Sequence, residues 1–334
     1  MMNRTNRTYR VKKYWSAMAL SVVLMLFSAV ESKAQVDRDR SHKIYTEPVF
    51  TQYMNGMQTI NPAYAGMWEK VGIQVFTRRY FVGQDGAPLM AAATWYKPVK
   101  NDNNGIGLNI TNEHIGYENK LTVAADYSYQ VKLDWKTYLR LGLKVGFINY
   151  DNLLTRYDLD WGQDDPDPAF DTDIHQGMML KWGVGALVYN RDFYIGLSVP
   201  QIISNKFRAD VINFSSLADV RYAYLLGGYF FGRQRQIRFK PTILVKGAIG
   251  EPVTADISAN WLFYDKFWVG AMYRTNNTAA IVTQFVMMKN IRFGYAMEFP
   301  FGREIFKYQL QTHEIRVVYE FDFYRRPYTR KQYF

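Results

Sequence analysis

Leu139-Arg140-Leu141-Gly142-Leu143-Lys144-Val145-Gly146-Phe147 is the stretch on which the fold turns. Its odd positions are apolar, and arginine, glycine and lysine fill the positions between. A period of two puts the two sets on opposite faces of an extended strand. The pattern returns along the chain. Ile237, Phe239, Ile243 and Val245 alternate with Arg238, Lys240, Thr242 and Lys246, and Pro241 interrupts the apolar set. Ile291, Phe293, Tyr295, Met297 and Phe299 alternate with Arg292, Gly294, Ala296 and Glu298. Ile315, Val317, Tyr319, Phe321 and Phe323 alternate with Glu314, Arg316, Val318, Glu320 and Asp322. Such strands suit lipid on one side and a polar lumen on the other, and equally one face of a soluble sandwich.

Loop lengths separate the two architectures. Strands are predicted near 71–79, 88–97, 104–114, 120–132, 137–149, 177–189, 192–199, 220–231, 237–247, 253–262, 267–274, 277–286, 291–299 and 312–322. Connections after even-numbered strands are all short, whereas 150–176, 200–219 and 300–311, after odd-numbered ones, are long. Short periplasmic turns opposite long outer loops belong to outer-membrane barrels, and a sandwich has no reason to sort its loops so. The expected fold is therefore all-β, a transmembrane outer-membrane β-barrel of about 14 antiparallel strands. Residues 207–214 are a candidate hairpin within a loop. Trp95, Tyr96, Trp135, Tyr189, Phe193, Tyr194, Tyr229, Phe230, Phe231, Phe263, Tyr264, Phe267 and Trp268 crowd the short turns and read as an interfacial girdle. Mean hydropathy is negative, as it must be where lipid-facing and lumen-facing residues alternate.

Arg10, Lys12 and Lys13 precede an apolar run from Ala17 to Val30, and Ser32-Lys33-Ala34 follows. This predicts a secretory signal peptide over 1–34, cleaved before Gln35. A periplasmic segment over 35–70, the barrel over 71–323 and a basic periplasmic tail over 324–334 complete the expected organisation. The chain has no cysteine, which excludes disulfides, thiolate metal sites and a lipidated N-terminal cysteine. Losing the leader would leave a mildly basic chain, which makes no case for nucleic acid.

Ahead of the first strand stand Glu47-Pro48-Val49-Phe50-Thr51-Gln52-Tyr53-Met54 and Ile60-Asn61-Pro62-Ala63-Tyr64-Ala65-Gly66. Later come Gly196-Leu197-Ser198-Val199-Pro200-Gln201, Arg221-Tyr222, Lys240-Pro241, Asp265-Lys266-Phe267-Trp268-Val269-Gly270, Tyr273-Arg274, Arg292-Phe293-Gly294-Tyr295-Ala296 and His313-Glu314-Ile315. This ordered set resembles the PorP/SprF family of type IX secretion and gliding proteins. The resemblance implies an outer-membrane component working with the PorK/PorN periplasmic ring and a PorE-like peptidoglycan-binding lipoprotein. It also leaves open a SprF-like partner for a surface adhesin, while a passive porin is the reading from transport.

Partner-binding residues are expected at Phe50, Gln52, Tyr53, Asn61, Pro62, Tyr64 and Gly66, with Arg191, Arg233 and Arg235 in the short turns and Arg325 and Arg326 in the tail. Asn61 to Gly66 is read either as a docking surface or partial plug, or as a turn set by Pro62 and Gly66. Arg140, Lys144, Arg238, Lys240, Lys246, Arg292, Glu298, Glu314, Arg316 and Glu320 are expected to line the lumen, paired with one another or lining a pore. The acidic loop around Asp164, Asp165, Asp167, Asp171 and Asp173 suits solvent better than Ca²⁺, because it lacks EF-hand spacing. The histidines His42, His114, His175 and His313 are scattered, so no catalytic site and no cofactor is expected.

Overall fold

A computed structural model describes residues 49–67, 70–84, 86–99, 103–156, 172–203, 206–208, 215–218, 221–232, 236–249, 251–300 and 311–321. The strands are β1 (Val71–Arg79), β2 (Leu89–Pro98), β3 (Asn104–Ile115), β4 (Glu118–Lys132), β5 (Tyr138–Asn152), β6 (Ile174–Tyr189) and β7 (Phe193–Val199). The second half supplies β8 (Tyr222–Tyr229), β9 (Ile237–Ala248), β10 (Thr254–Phe263), β11 (Phe267–Arg274), β12 (Thr278–Met288), β13 (Ile291–Pro300) and β14 (Thr312–Phe321). Neighbours in sequence pair antiparallel, and β1 closes on β14 from Val71↔Phe321 to Arg79↔His313. A closed sheet of fourteen strands leaves no unpaired edge, which hydrocarbon could not satisfy.

The expected strands are all present, with ends shifted by a few residues. β12 runs on to Met288 through a bulge between Val286 and Met288, and β8 is shorter than 220–231. The loop hairpin is Lys206–Arg208 paired with Ser215–Ala218. At one end of the barrel the turns are tight. Residues 264–266 turn with Tyr264 and Asp265 both at positive φ, a geometry that matches the twist of the flanking strands.

Alternation sorts the wall. Ile73, Val75, Leu141, Leu143, Ile243 and Ile315 are exposed on the outer face, while Gln74, Phe76, Arg140, Lys144, Thr242 and Glu314 are buried inside. The girdle needs correction on the same ground. Tyr96, Tyr189, Tyr194 and Phe230 are buried on the inner face, and Trp268 points the same way, towards Phe230 and Lys240, because adjacent strand residues point to opposite sides. Trp95, Trp135, Phe193, Tyr229, Phe231, Phe263, Tyr264 and Phe267 remain for the lipid side and the turns.

Candidate functional site

The lumen is filled by the chain's own residues 49–67. Three short 3-10 turns, Tyr53–Asn55, Met57–Thr59 and Pro62–Tyr64, fold this segment into a plug. Asn61 caps the third turn, accepting from the Ala63 N–H at 2.9 Å. Pro62 supplies the first position of that turn, and Gly66 leaves it at φ +62°, where a Cβ would be strained. Tyr53, Met54, Met57, Ile60 and Tyr64 pack against Tyr194, Tyr222, Tyr224, Leu226, Leu244 and Met272 of the wall. This is the main apolar core among the described residues, and it lies inside the barrel.

A plug of irregular backbone has N–H and C=O groups to satisfy, and in a buried site each orphan costs about 1–3 kcal/mol. The wall's charges meet that need. Glu314 accepts from the Thr51 and Gln52 N–H groups at 2.7 and 3.0 Å, and Glu298 accepts from the Thr51 hydroxyl at 2.6 Å. Arg78 donates to the Val49 carbonyl at 2.6 Å, Lys240 to Met54 at 3.1 Å, and Arg316 to Asn55 at 2.6 Å. Arg140 and Ser128 both donate to the Ala65 carbonyl, at 2.9 and 2.6 Å. Asn61 donates through Nδ2 to Ala186 O at 3.1 Å, and Gln58 to Trp95 O at 3.2 Å.

The same charges also pair with one another. Arg78 meets Glu298 at 2.6 Å, Arg274 meets Asp256 at 2.7 Å and Lys144 meets Asp126 at 3.0 Å. Arg238 pairs with Asp265 and Arg292 with Glu320. Lys246 lies over the Tyr222 ring, 4.5 Å from its centroid. Beside the plug, a cavity of about 30 Å³ is lined by residues that include Phe50, Glu113, Lys120, Lys144 and Lys181.

Phe50, Gln52, Tyr53, Asn61, Pro62 and Tyr64, expected to bind a partner, are all part of the plug. They are buried inside the barrel, and so is Gly66, so no periplasmic partner reaches them while the plug is seated. The segment over 49–67 belongs to the barrel interior, not to a separate periplasmic piece. Arg191 is exposed at the 190–192 turn, where Asn190 Oδ1 accepts from the Asp192 and Phe193 N–H groups. Arg233, Arg235, Arg325 and Arg326 lie outside the described residues, as do the leader, the tail and Asp164 to Asp171. Asp173 accepts from the Thr155 N–H and hydroxyl at 3.0 and 2.9 Å. Sequence reasoning missed Arg78, Arg274, Asp256 and Asp126. Their parity with inward neighbours such as Gln74 and Ser258 was the signal that could have found them.

A family model described as type IX secretion system membrane protein PorP/SprF matches residues 43–319. No curated protein matches the chain. Among solved structures, the outer membrane protein Omp33 of Acinetobacter baumannii aligns at 9% identity and a TM-score of 0.45, over 75% of this chain and 98% of that one. A Pseudomonas aeruginosa FadL homologue aligns at 11% identity and 0.47, over 78% and 93%. The beta domain of the Bordetella autotransporter BrkA aligns at 9% and 0.38, over 76% and 99%.

Proposed function

Because the chain belongs to the PorP/SprF family of type IX secretion system membrane proteins, we propose that it is a sealed, non-catalytic scaffold of that system in the outer membrane. In this reading its short-turn face looks into the periplasm and docks the PorK/PorN ring and a peptidoglycan-binding lipoprotein. One observation carries the reading: the lumen is occupied by a plug whose backbone carbonyls are bonded by side chains of β1, β4, β5, β9 and β14, and whose Gln58 and Asn61 side chains bond the backbone of β2 and β6. A barrel filled in this way supports attachment better than passage of solute or folded cargo.

Affinity purification of the tagged protein from gently solubilised outer membranes, with conductance recorded from the same preparation in planar bilayers, tests it. Recovery of the ring proteins and the lipoprotein with a silent bilayer is expected. Stable open channels would overturn the sealed scaffold in favour of a porin. Recovery of a surface adhesin without ring proteins would move the function to the SprF-like alternative.

A further inference from the structure

The plug has a direction. Its first residues, Val49 to Thr51, sit at the long-loop mouth of the barrel. The Val49 carbonyl accepts from Arg78, next to last on β1. Thr51 bonds Glu298, third from the end of β13, and Glu314, third on β14. Phe50 stacks on Phe76 with ring centroids 4.6 Å apart, in a cluster that includes Met90, the second residue of β2. These wall positions flank the connections 80–88 and 301–311.

The last residues of the plug sit at the other mouth. Arg140, third on β5, donates to the Ala65 carbonyl, which also lies against Gly105, second on β3. Gly66 lies against the Lys97 carbonyl, next to last on β2. Lys70 then pairs with Glu320, next to last on β14, at 3.5 Å, and β1 begins at Val71. Between the two mouths Arg316, fifth on β14, holds the Asn55 carbonyl. A segment folded in from the periplasm and back would bring both its ends to the short-turn mouth. This one has its ends at opposite mouths.

We infer that the chain descends the lumen from the cell surface to the periplasm, so that the residues just ahead of Val49 stand on the outer side of the membrane and the start of β1 on the inner. That the short turns face the periplasm is taken from the proposed function. The residues leading into the plug are then open to a cell-surface protein and closed to a periplasmic ring, and the plug joins the two mouths as one bonded strand of chain.

The chain has no cysteine, so one introduced thiol reports one site. A membrane-impermeant maleimide is applied to intact and to permeabilised cells carrying full-length Glu47→Cys or, as the short-turn reference, Lys136→Cys, an exposed position in the β4–β5 turn. Lys43→Cys replaces Glu47→Cys if the latter does not reach the membrane. Glu47→Cys is expected to label in intact cells at least tenfold more than Lys136→Cys, whose labelling should need permeabilisation. If both need permeabilisation, the plug enters from the periplasm, and its direction falls while the orientation stands. If Lys136→Cys labels in intact cells and Glu47→Cys only after permeabilisation, the barrel is inverted, and the docking reading falls together with the outer position of Glu47. Labelling of both in intact cells would overturn direction and orientation alike. A Glu47→Cys thiol in the folded barrel that stays unlabelled in permeabilised cells would overturn the direction too, since neither mouth would then open on it.

Discussion

Val49 to Asn55 is held in the lumen by charges, whereas Asn61 to Gly66 is held where the wall has no side chains. The first half meets Arg78, Glu298, Glu314, Lys240 and Arg316. Two of the strands involved, β1 and β14, meet at the closing seam, and β13 lies next to β14. The second half lies against Gly105, Gly142 and Gly185, where an added Cβ would strike Ala65 O, Ala63 N and Asn61 Oδ1. Its polar groups are met mostly by neutral donors and acceptors, Arg140 excepted. One half therefore depends on buried ion chemistry and the other on shape, and the two should break differently.

Glu314→Leu should do the most damage. It orphans the Thr51 and Gln52 N–H groups and takes a carboxylate from beside Arg78. Breaking a buried, bonded charge costs about 3–5 kcal/mol, read as a lower urea midpoint of the detergent-folded barrel. Glu314→Gln keeps an acceptor and should lose less. Equal losses would mean that charge is not what holds this half.

Gly142→Val attacks the other half by volume. Overpacking of a tight core costs about 1–3 kcal/mol, but here the more telling outcome is displacement of the plug. Open conductance in planar bilayers is expected where wild type is silent. A silent Gly142→Val barrel of wild-type stability would show that the glycine seat is not needed.

Asn61→Ala should cost about 1–2 kcal/mol by the same urea assay, since it removes the cap on Ala63 and the bond to Ala186 O. Tagged Asn61→Ala protein that reaches the membrane should still recover the periplasmic partners, because Asn61 is buried. Loss of partners at full barrel abundance would restore a docking role to this segment.

The wall was legible in the sequence because lipid on one face and a polar lumen on the other impose a strict period of two. That is why Leu139–Phe147 and Ile291–Phe299 fall on strands with the expected faces. A partial plug was one reading of Asn61 to Gly66, but the seat of residues 49–60 in the lumen was not legible. Thr51, Gln52, Gln58 and Asn61 have no period and look like surface residues, yet all are buried. Their partners lie far along the chain: Thr51 bonds Glu298, 247 residues on. Only closure of the sheet brings such groups together, and no local pattern encodes that distance. The Pro62 and Gly66 turn was readable, being local chemistry.

The smallest effect expected is the most discriminating between the halves. Gln52 is wholly buried beside Gly294, and neither its side-chain oxygen nor its nitrogen has a hydrogen-bond partner among the described residues, whereas its backbone N–H is held by Glu314. Removing that amide leaves the backbone bond intact and relieves a desolvation cost of about 1–3 kcal/mol. Methionine is unbranched and of similar length, so Gln52→Met should leave the urea midpoint unchanged or raise it. Asn61→Ala, by contrast, should lower it, although both residues are buried polar amides of the same plug. If Gln52→Met instead loses as much as Asn61→Ala, the Gln52 amide must be bonded in the membrane. Side-chain hydrogen bonds would then hold both halves, and the division between charge and shape would fail at its upper end.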